Sequence, residues 1–295
     1  MRVPCKGINI GLDSPKGDVS FLSHAHSDHT SGLKRMKEML STPETLELAD
    51  IPAEVVDVPG TKMIDAGHIL GARQLLIEDD GQRTLYTGDI CVKPNIFGMK
   101  AEPVHCDRLI MEATYGNPDY NFPSPEETYE DIQRWVRDND KANIIIGAYE
   151  MGKAQEIIKV LNECGVAPVV TEKTERVVSV YERYGVPLDR VVVGSDEAED
   201  VMSRRFVAVV PMGKAKRYFA KRLEEAFERE TLCAVGTGWA LHYRFNTDAA
   251  FPLSDHADFN DLVWFAEQTE AKKIEFFCGD GSAVLSALKK NALSC

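Results

Sequence analysis

The hexapeptide HAHSDH, residues 24–29, sets four metal-capable side chains, His24, His26, Asp28 and His29, within six positions. It follows directly on the apolar run VSFLS. Two imidazoles one residue apart at a strand end can converge on one cation. The Asp–His pair beyond the turn can face a second. Zinc prefers such nitrogen and oxygen donors in near-tetrahedral shells. The alternative is a solvated polar turn. The chain has only seven histidines, and three of them fall here, so chance is a poor account of the motif.

Other residues could complete such a cluster. His68 lies in DAGHILGA, between glycines that let backbone pass close to a site. Asp89 ends the run RTLYTGD. A lone His or Asp is more often a surface or turn residue, but a two-metal cluster still needs a third imidazole and a bridging carboxylate. Glu112 in IMEATYG and His256 in LSDHADF offer proton-transfer chemistry, because a carboxylate can hold an imidazole protonated. Spacing alone does not pair them. Their plain reading is a strand-end carboxylate and, for Asp255 or His256, a helix cap.

GKAQ, residues 152–155, opens a helix after a strand, and backbone N–H groups with Lys153 beside them suit a phosphate. Many strand–helix turns look the same. A basic run, Arg204, Arg205, Lys214, Lys216, Arg217, Lys221 and Arg222, could line a nucleic-acid groove, although a solvated helix face is the commoner explanation. No GxSxG elbow, Walker loop or GxGxxG fingerprint occurs.

The elements that must carry these residues fall into three stretches. Up to about residue 118 the chain reads as short strands: DVSFLSH, AEVVDVP, ARQLLIED, QRTLYTGD and DRLIMEATYG. Helices are expected over Thr30–Leu40 and Pro43–Ala49. From Ser124 the texture changes. Ser124 with Glu127, and Pro125 between them, is a capping-box start. Strand-like runs such as NIIIGAY, VAPVVT, RVVVGS, FVAVVP and TLCAVGT then alternate with helical runs, the pattern of a mostly parallel sheet. The last stretch, from about Phe251, has a polar turn, a helix, the strand KKIEFFCG and a final helix. It is too short to fold alone. The expected division is therefore 1–120 with 251–295 as one domain and 121–250 as an insertion.

Bulk properties narrow the classes. The composition is 44% hydrophobic and 27% charged, ordinary for a globular chain of 295 residues. No apolar run reaches the ~18 residues a bilayer span needs, and the N-terminus lacks a signal-peptide core, so no membrane contact and a cytoplasmic location are expected. The seven cysteines, Cys5, Cys91, Cys106, Cys164, Cys233, Cys278 and Cys295, form no CxxC pair, which argues against a disulfide framework. A net charge of −13 argues against tight, nonspecific nucleic-acid binding through a broad basic face, though not against a local groove.

The order of Asp13, HAHSDH, AGHILGA, YTGDI, MEATYG, GKAQE and LSDHADF resembles the β-CASP nucleases of the metallo-β-lactamase superfamily, over nearly the whole chain. The stretches EATYGNPDYNFPSPEE, MGKAQEIIKVL and PLSDHADFNDLVWFAEQT are most similar to the ligase-associated DNA exonucleases and archaeal mRNA 3′-end processing factor-like proteins. The resemblance implies an α/β fold, an αββα sandwich interrupted by a Rossmann-like β-CASP domain. It implies a zinc-dependent hydrolase, a single-strand exonuclease acting on DNA in repair, with RNA processing as the nearest alternative and a noncatalytic scaffold as the distant one. It implies one Zn²⁺ on His24, His26, His68 and Asp89, and a second on Asp28, His29 and the bridging Asp89, with Asp13 supporting the cluster. Asp28, Glu112 and His256 become the catalytic set; the helix start at Lys153 and the basic run at Lys214 and Lys216 remain the expected contacts to substrate phosphate. Partners are single-stranded DNA or RNA, with a DNA ligase or a second copy of the chain as a protein partner. One position departs: Cys278 stands where the family usually has a His. Cys278 is then either a thiolate ligand or a lost one, and either way the second site is held more weakly.

Overall fold

The chain divides into two compact units, and a computed structural model describes residues 1–292. Cys295 lies outside the described residues. The first unit comprises Met1–Pro94, Gly98–Asn121 and the chain from Asp255 onward. The second comprises Asn95–Phe97 and Phe122–Ser254.

The first unit begins with β1 (Arg2–Cys5), β2 (Ile8–Leu12), β3 (Val19–Phe21), β4 (Glu38–Leu40), α1 (Pro43–Leu48), β5 (Glu54–Val55), β6 (Thr61–Asp65), β7 (Arg73–Asp79), β8 (Gln82–Tyr86) and β9 (Arg108–Met111). Strands β1 to β5 form one sheet in sequence order. The other sheet runs β16-β9-β8-β7-β6, where β16 (Lys273–Phe276) comes from the far end of the chain. The two sheets share one core. Val3, Ile10, Leu12, Phe21 and Leu40 from the first pack with Leu75, Ile77, Tyr86 and Ile110 from the second. Alternation along these strands puts every second side chain inward. Helices α7 (Phe259–Gln268) and α8 (Ser282–Ala292) complete the unit, α7 with Leu262, Val263, Phe265 and Ala266 buried.

The helix expected over Thr30–Leu40 does not form. A 3₁₀ turn covers Leu33–Arg35, Met36 is extended, and β4 follows. The spacing of Leu33, Met36 and Met39 imitates a helical face. The strand wins because Ser20 and Phe21 of β3 pair with Met39 and Leu40, burying both almost completely. Sheet pairing overrides local propensity here. Strand β6 was not in the sequence reading either.

The second unit is a six-stranded, all-parallel sheet in the order β12-β11-β13-β10-β14-β15. Its elements in chain order are α2 (Pro125–Asp138), β10 (Asn143–Ala148), α3 (Lys153–Glu163), β11 (Val169–Val170), α4 (Glu172–Arg183), β12 (Val191–Val192), α5 (Asp196–Met202), β13 (Val207–Pro211), α6 (Arg217–Phe227), β14 (Thr231–Gly236) and β15 (Ala249–Phe251). The start of α2 is built as its sequence implies. Glu127 N donates to Ser124 Oγ at 3.1 Å, and the Glu127 carboxylate accepts from Ser124 N at 2.9 Å. Such a cap contributes about 1 kcal/mol. All six residues of β10 are buried, hence its unbroken run NIIIGA.

Candidate metal centre

Every metal-capable side chain of the first unit singled out above is carried by a strand end or the turn after it. His24 and His26 follow β3, His68 lies between β6 and β7, and Asp89 follows β8. His24, His26, His68 and Asp89 each bring one donor atom within 4.8 Å of the others. His26 Nδ1 and His68 Nε2 are 3.0 Å apart, His24 Nε2 lies 3.4 Å from Asp89 Oδ2, and His68 Nε2 lies 3.8 Å from that same oxygen. Donors in a tetrahedral zinc shell stand about 3.3 Å apart, given bonds of about 2.0–2.1 Å. Gly67 makes this approach possible: its φ is +72°, and a Cβ there would sit 2.2 Å from the Cys91 carbonyl oxygen.

The tautomers follow from the surrounding hydrogen bonds. Tyr86 Oη donates to Asp13 Oδ2 at 2.8 Å, and Ser23 Oγ donates to the same oxygen at 2.6 Å. With its proton committed, Ser23 Oγ can only accept, so His24 Nδ1, 3.0 Å away, is the donor. His24 Nε2 is left with a bare lone pair, buried and without a hydrogen-bond partner. His68 Nδ1 donates to the Asp255 carbonyl oxygen at 2.8 Å, which likewise leaves Nε2 unprotonated. Burial, reinforced by neighbouring imidazoles, holds His24 well below the ordinary imidazole pKa, and burial does the same for His68. Neutral imidazoles whose lone pairs converge on one point, one of them orphaned, suit a bound cation.

Asp89 faces two ways. Oδ2 is turned to His24 and His68, and Oδ1 lies 3.5 Å from His29 Nε2. Burial, then the Glu112 carboxylate, pushes its pKa up to about 7. Excess negative charge of this kind is what a cation offsets. His29 Nδ1 donates to Asp13 Oδ2 at 2.6 Å, which points its Nε2 at Asp89. Burial opposes charging His29, but the Asp13 hydrogen bond and the nearby carboxylates outweigh it and raise its pKa to about 9. Asp28 is largely exposed, with Oδ2 3.8 Å from His29 Nε2. The sulfur of Cys278 shares a 4.8 Å cluster with Asp89 and Glu112 oxygens. Burial first, then those two carboxylates, pushes the thiol up to about 12.

Glu112 and His256, which spacing could not pair, are in contact. His256 Nδ1 is 3.0 Å from both oxygens of the fully buried Glu112. Ile90 N donates to Glu112 Oε1 at 2.7 Å and fixes the carboxylate. Burial opposes charging His256, and Glu112 outweighs it, raising the pKa to about 9. The ring lies 4.6 Å from that of His68, between centroids. Neither Asp255 nor His256 caps a helix. Asp258 does so for α7, accepting from Asp261 N at 2.9 Å. Sequence reasoning missed Tyr86 and Ser23 and read Asp255 as a helix cap; only the places of Ser23 beside His24 and Asp255 beside His256 could have flagged those two.

The candidate phosphate contacts belong to the second unit. Lys153 is buried, its Nζ 5.1 Å from the Tyr149 ring centroid. Lys214 and Lys216 are exposed in the turn after β13. The basic run does not form one surface. Arg204 and Arg205 precede β13, Arg204 pairs with Asp200, and the Arg205 guanidinium donates to the Ala142 and Val136 carbonyls. A five-residue strand, about 17 Å long, separates them from Lys214.

No family model matches the chain. It is 30% identical over 305 residues to a probable DNA ligase of Opitutus terrae, covering 93% of this chain and 28% of the ligase. It is 25% identical over 270 residues to the 5′ exonuclease Apollo of Gallus gallus, covering 84% and 55%. The chain thus spans about a quarter to a half of the length of these curated relatives. A protein of unknown function from Enterococcus faecalis V583 has the same fold, with a TM-score of 0.61 at 15% identity, over 90% of this chain and 77% of that one.

Proposed function

This chain belongs to the β-CASP family of the metallo-β-lactamase superfamily, and from that premise we propose that it is a zinc-dependent phosphodiesterase that shortens single-stranded DNA from an end. The observation that carries the reading is the meeting, in one unit, of the His24–His26–His68–Asp89 cluster with the His256–Glu112 pair. Similarity to proteins named DNA ligase and 5′ exonuclease supports DNA as the substrate.

His24, His26, His68 and Asp89 would hold one zinc, and Asp28, His29, Asp89 and the Cys278 sulfur a second. Zinc supplies Lewis-acid stabilisation of phosphoryl charge and makes water nucleophilic near neutral pH. The protein's own groups do the rest. Asp13, anchored by Tyr86 and Ser23, fixes the orientation of His29. Glu112 keeps His256 charged, so that His256 donates its Nε2 proton to the departing oxygen. Asp28, the exposed member, sits where substrate can reach it. The second zinc would be the weaker, because the Cys278 thiol, whose pKa burial and the Glu112 and Asp89 carboxylates push up, must be deprotonated to ligate.

The test is elemental analysis of the pure protein together with hydrolysis of end-labelled single strands of DNA and RNA. Zinc is expected, DNA is expected to shorten from one end, and chelation is expected to abolish activity until zinc is restored. His26→Ala loses metal and activity together. Full zinc content with normal turnover in that variant would sink the site, and a preference for RNA would overturn the DNA assignment.

A further inference from the structure

The exposed aromatic residues of the second unit are not scattered. Among the described residues three tyrosines stand largely in solvent: Tyr149 at 46%, Tyr218 at 75% and Tyr243 at 59%. Each follows the C-terminal end of a different strand, namely β10, β13 and β14. Those three strands are neighbours, with β10 in the middle. Ala148 pairs with Pro211 and Gly147 with Val235, so the chain leaves all three strands at one level. Adjacent strands are ~4.8 Å apart. One short edge therefore emits three connections side by side, with Tyr149 directly after β10, Tyr218 in the first turn of α6 and Tyr243 just beyond the short turn that follows β14.

The topology marks the same edge. The connection from β10 through α3 to β11 passes to one side of the sheet, while that from β13 through α6 to β14 passes to the other. Strands β10 and β13 thus flank a topological switch point, where open α/β sheets bind ligands at the carboxyl ends of their strands. The loop after β13 is drawn tightly onto β10. A Cβ on Gly147 would come within 2.4 Å of Ala215 Cβ and 3.2 Å of Met212 Cα. That contact holds the loop bearing Lys214 and Lys216 against the root of the Tyr149 loop.

Two of the rings are backed. The buried Lys153 ammonium lies 5.1 Å from the Tyr149 ring centroid, and Trp239 stands edge-on to Tyr243 at 5.8 Å and 72°. Lys214 and Lys216 are exposed in the loop after β13, and His242 and Arg244, which flank Tyr243 in the chain, are exposed as well. The acids nearby are engaged: Glu150 lies 4.0 Å from Lys173, and Asp248 lies 3.0 Å from Arg217. Held aromatic faces alternating with cations are the chemistry of single-strand binding, in which bases stack on rings and phosphates meet cations. On a chain of net charge −13 such a patch needs a specific reason.

We propose that the C-terminal edge of the six-stranded sheet is a base-stacking platform for single-stranded nucleic acid, with nucleobases on Tyr149 and Tyr243 and backbone phosphates on Lys214, Lys216 and Arg244. The choice of ligand rests on the phosphodiesterase reading, but the platform is tested separately. Binding of a fluorescent single strand to the full chain is compared with binding of an abasic strand of equal length, for the wild type and for Tyr149→Ala, Tyr243→Ala and the double variant. The wild type is expected to prefer the strand with bases by roughly 5- to 100-fold for each of the two stacked bases. Each Tyr→Ala change is expected to remove one such factor, and the double change both, while leaving abasic affinity unaltered. Hydrolysis of bis(p-nitrophenyl) phosphate, which is too small to need a platform, is expected to stay unchanged in the variants. Equal affinity of the wild type for the two strands, or full base preference in the double variant, overturns the platform. Failure of the wild type to hydrolyse the small diester counts against the phosphodiesterase reading alone.

Discussion

The hydrogen bonds that orient the cluster run through residues far apart in the chain, from Tyr86 to Asp13, from Asp13 to Ser23 and His29, and from Ser23 to His24. HAHSDH was legible because its ligands are adjacent. Tyr86 was not, because a tyrosine inside an apolar strand reads as core until its hydroxyl is seen to reach Asp13. The pairing of Glu112 with His256 bridges the whole insertion and needs tertiary structure to appear. That contact implies that His256→Ala keeps the metal but slows cleavage by ~10²–10⁴. A diester with a better leaving group should recover part of the loss in steady-state assays, and no recovery would mean that His256 is not the proton donor. Cys278 gives a second expectation. An imidazole gives up its proton more readily than a thiol that burial and two carboxylates push well up, so Cys278→His should raise zinc bound per chain. Elemental analysis checks this, and two tightly held zincs in the wild type would refute the weak second site.

At the scale of elements, the second unit was more legible than the first. Its helices announce themselves by caps and period, as Ser124 and Glu127 do for α2, and its strands are continuous apolar runs. The first unit uses two- to seven-residue strands whose pairing decides their state, and the helix expected over Thr30–Leu40 fails for that reason. Strand β16 illustrates what joins such pieces. It lies parallel to β9, and Arg108 of β9 grips Glu275 with Nε to Oε1 at 3.0 Å and Nη2 to Oε2 at 2.9 Å. Arg108, then Lys273, depresses the Glu275 pKa from 4.5 to about 2. A depressed carboxylate stabilises the fold fully above its ordinary pKa and loses that contribution as pH falls towards its folded value. Glu275→Gln should therefore cost about 0.5–1 kcal/mol at pH 7, discounted for partial exposure. The difference from wild type should shrink steadily between roughly pH 5 and pH 2. Urea titrations across that range provide the measurement, and a gap that persists undiminished at low pH would assign the loss to packing instead.

The whole molecule carries a charge of −13, yet Lys214, Lys216 and Arg244 stand exposed on its second unit. Attraction for a polyanion should then be local and shallow in its salt dependence. With Lys214, Lys216 and Arg244 as the contacting cations, the logarithm of the binding constant for a single strand should fall with the logarithm of salt at a slope of roughly −2. Anisotropy titrations over a salt series read this directly, and a slope twice as steep would require cations elsewhere. The remaining consequence comes from the insertion. Strand β9 is made before the second unit, and its partner β16 only after it. At ~5–20 residues per second, Ile110 and Met111 wait on the order of ten seconds or more on a ribosome before their sheet is closed. His256 and Cys278 emerge in that same late stretch. A chain cut short within the second unit therefore has His24, His26, His68 and Asp89 but neither the Asp255 carbonyl that orients His68 nor His256 and Cys278.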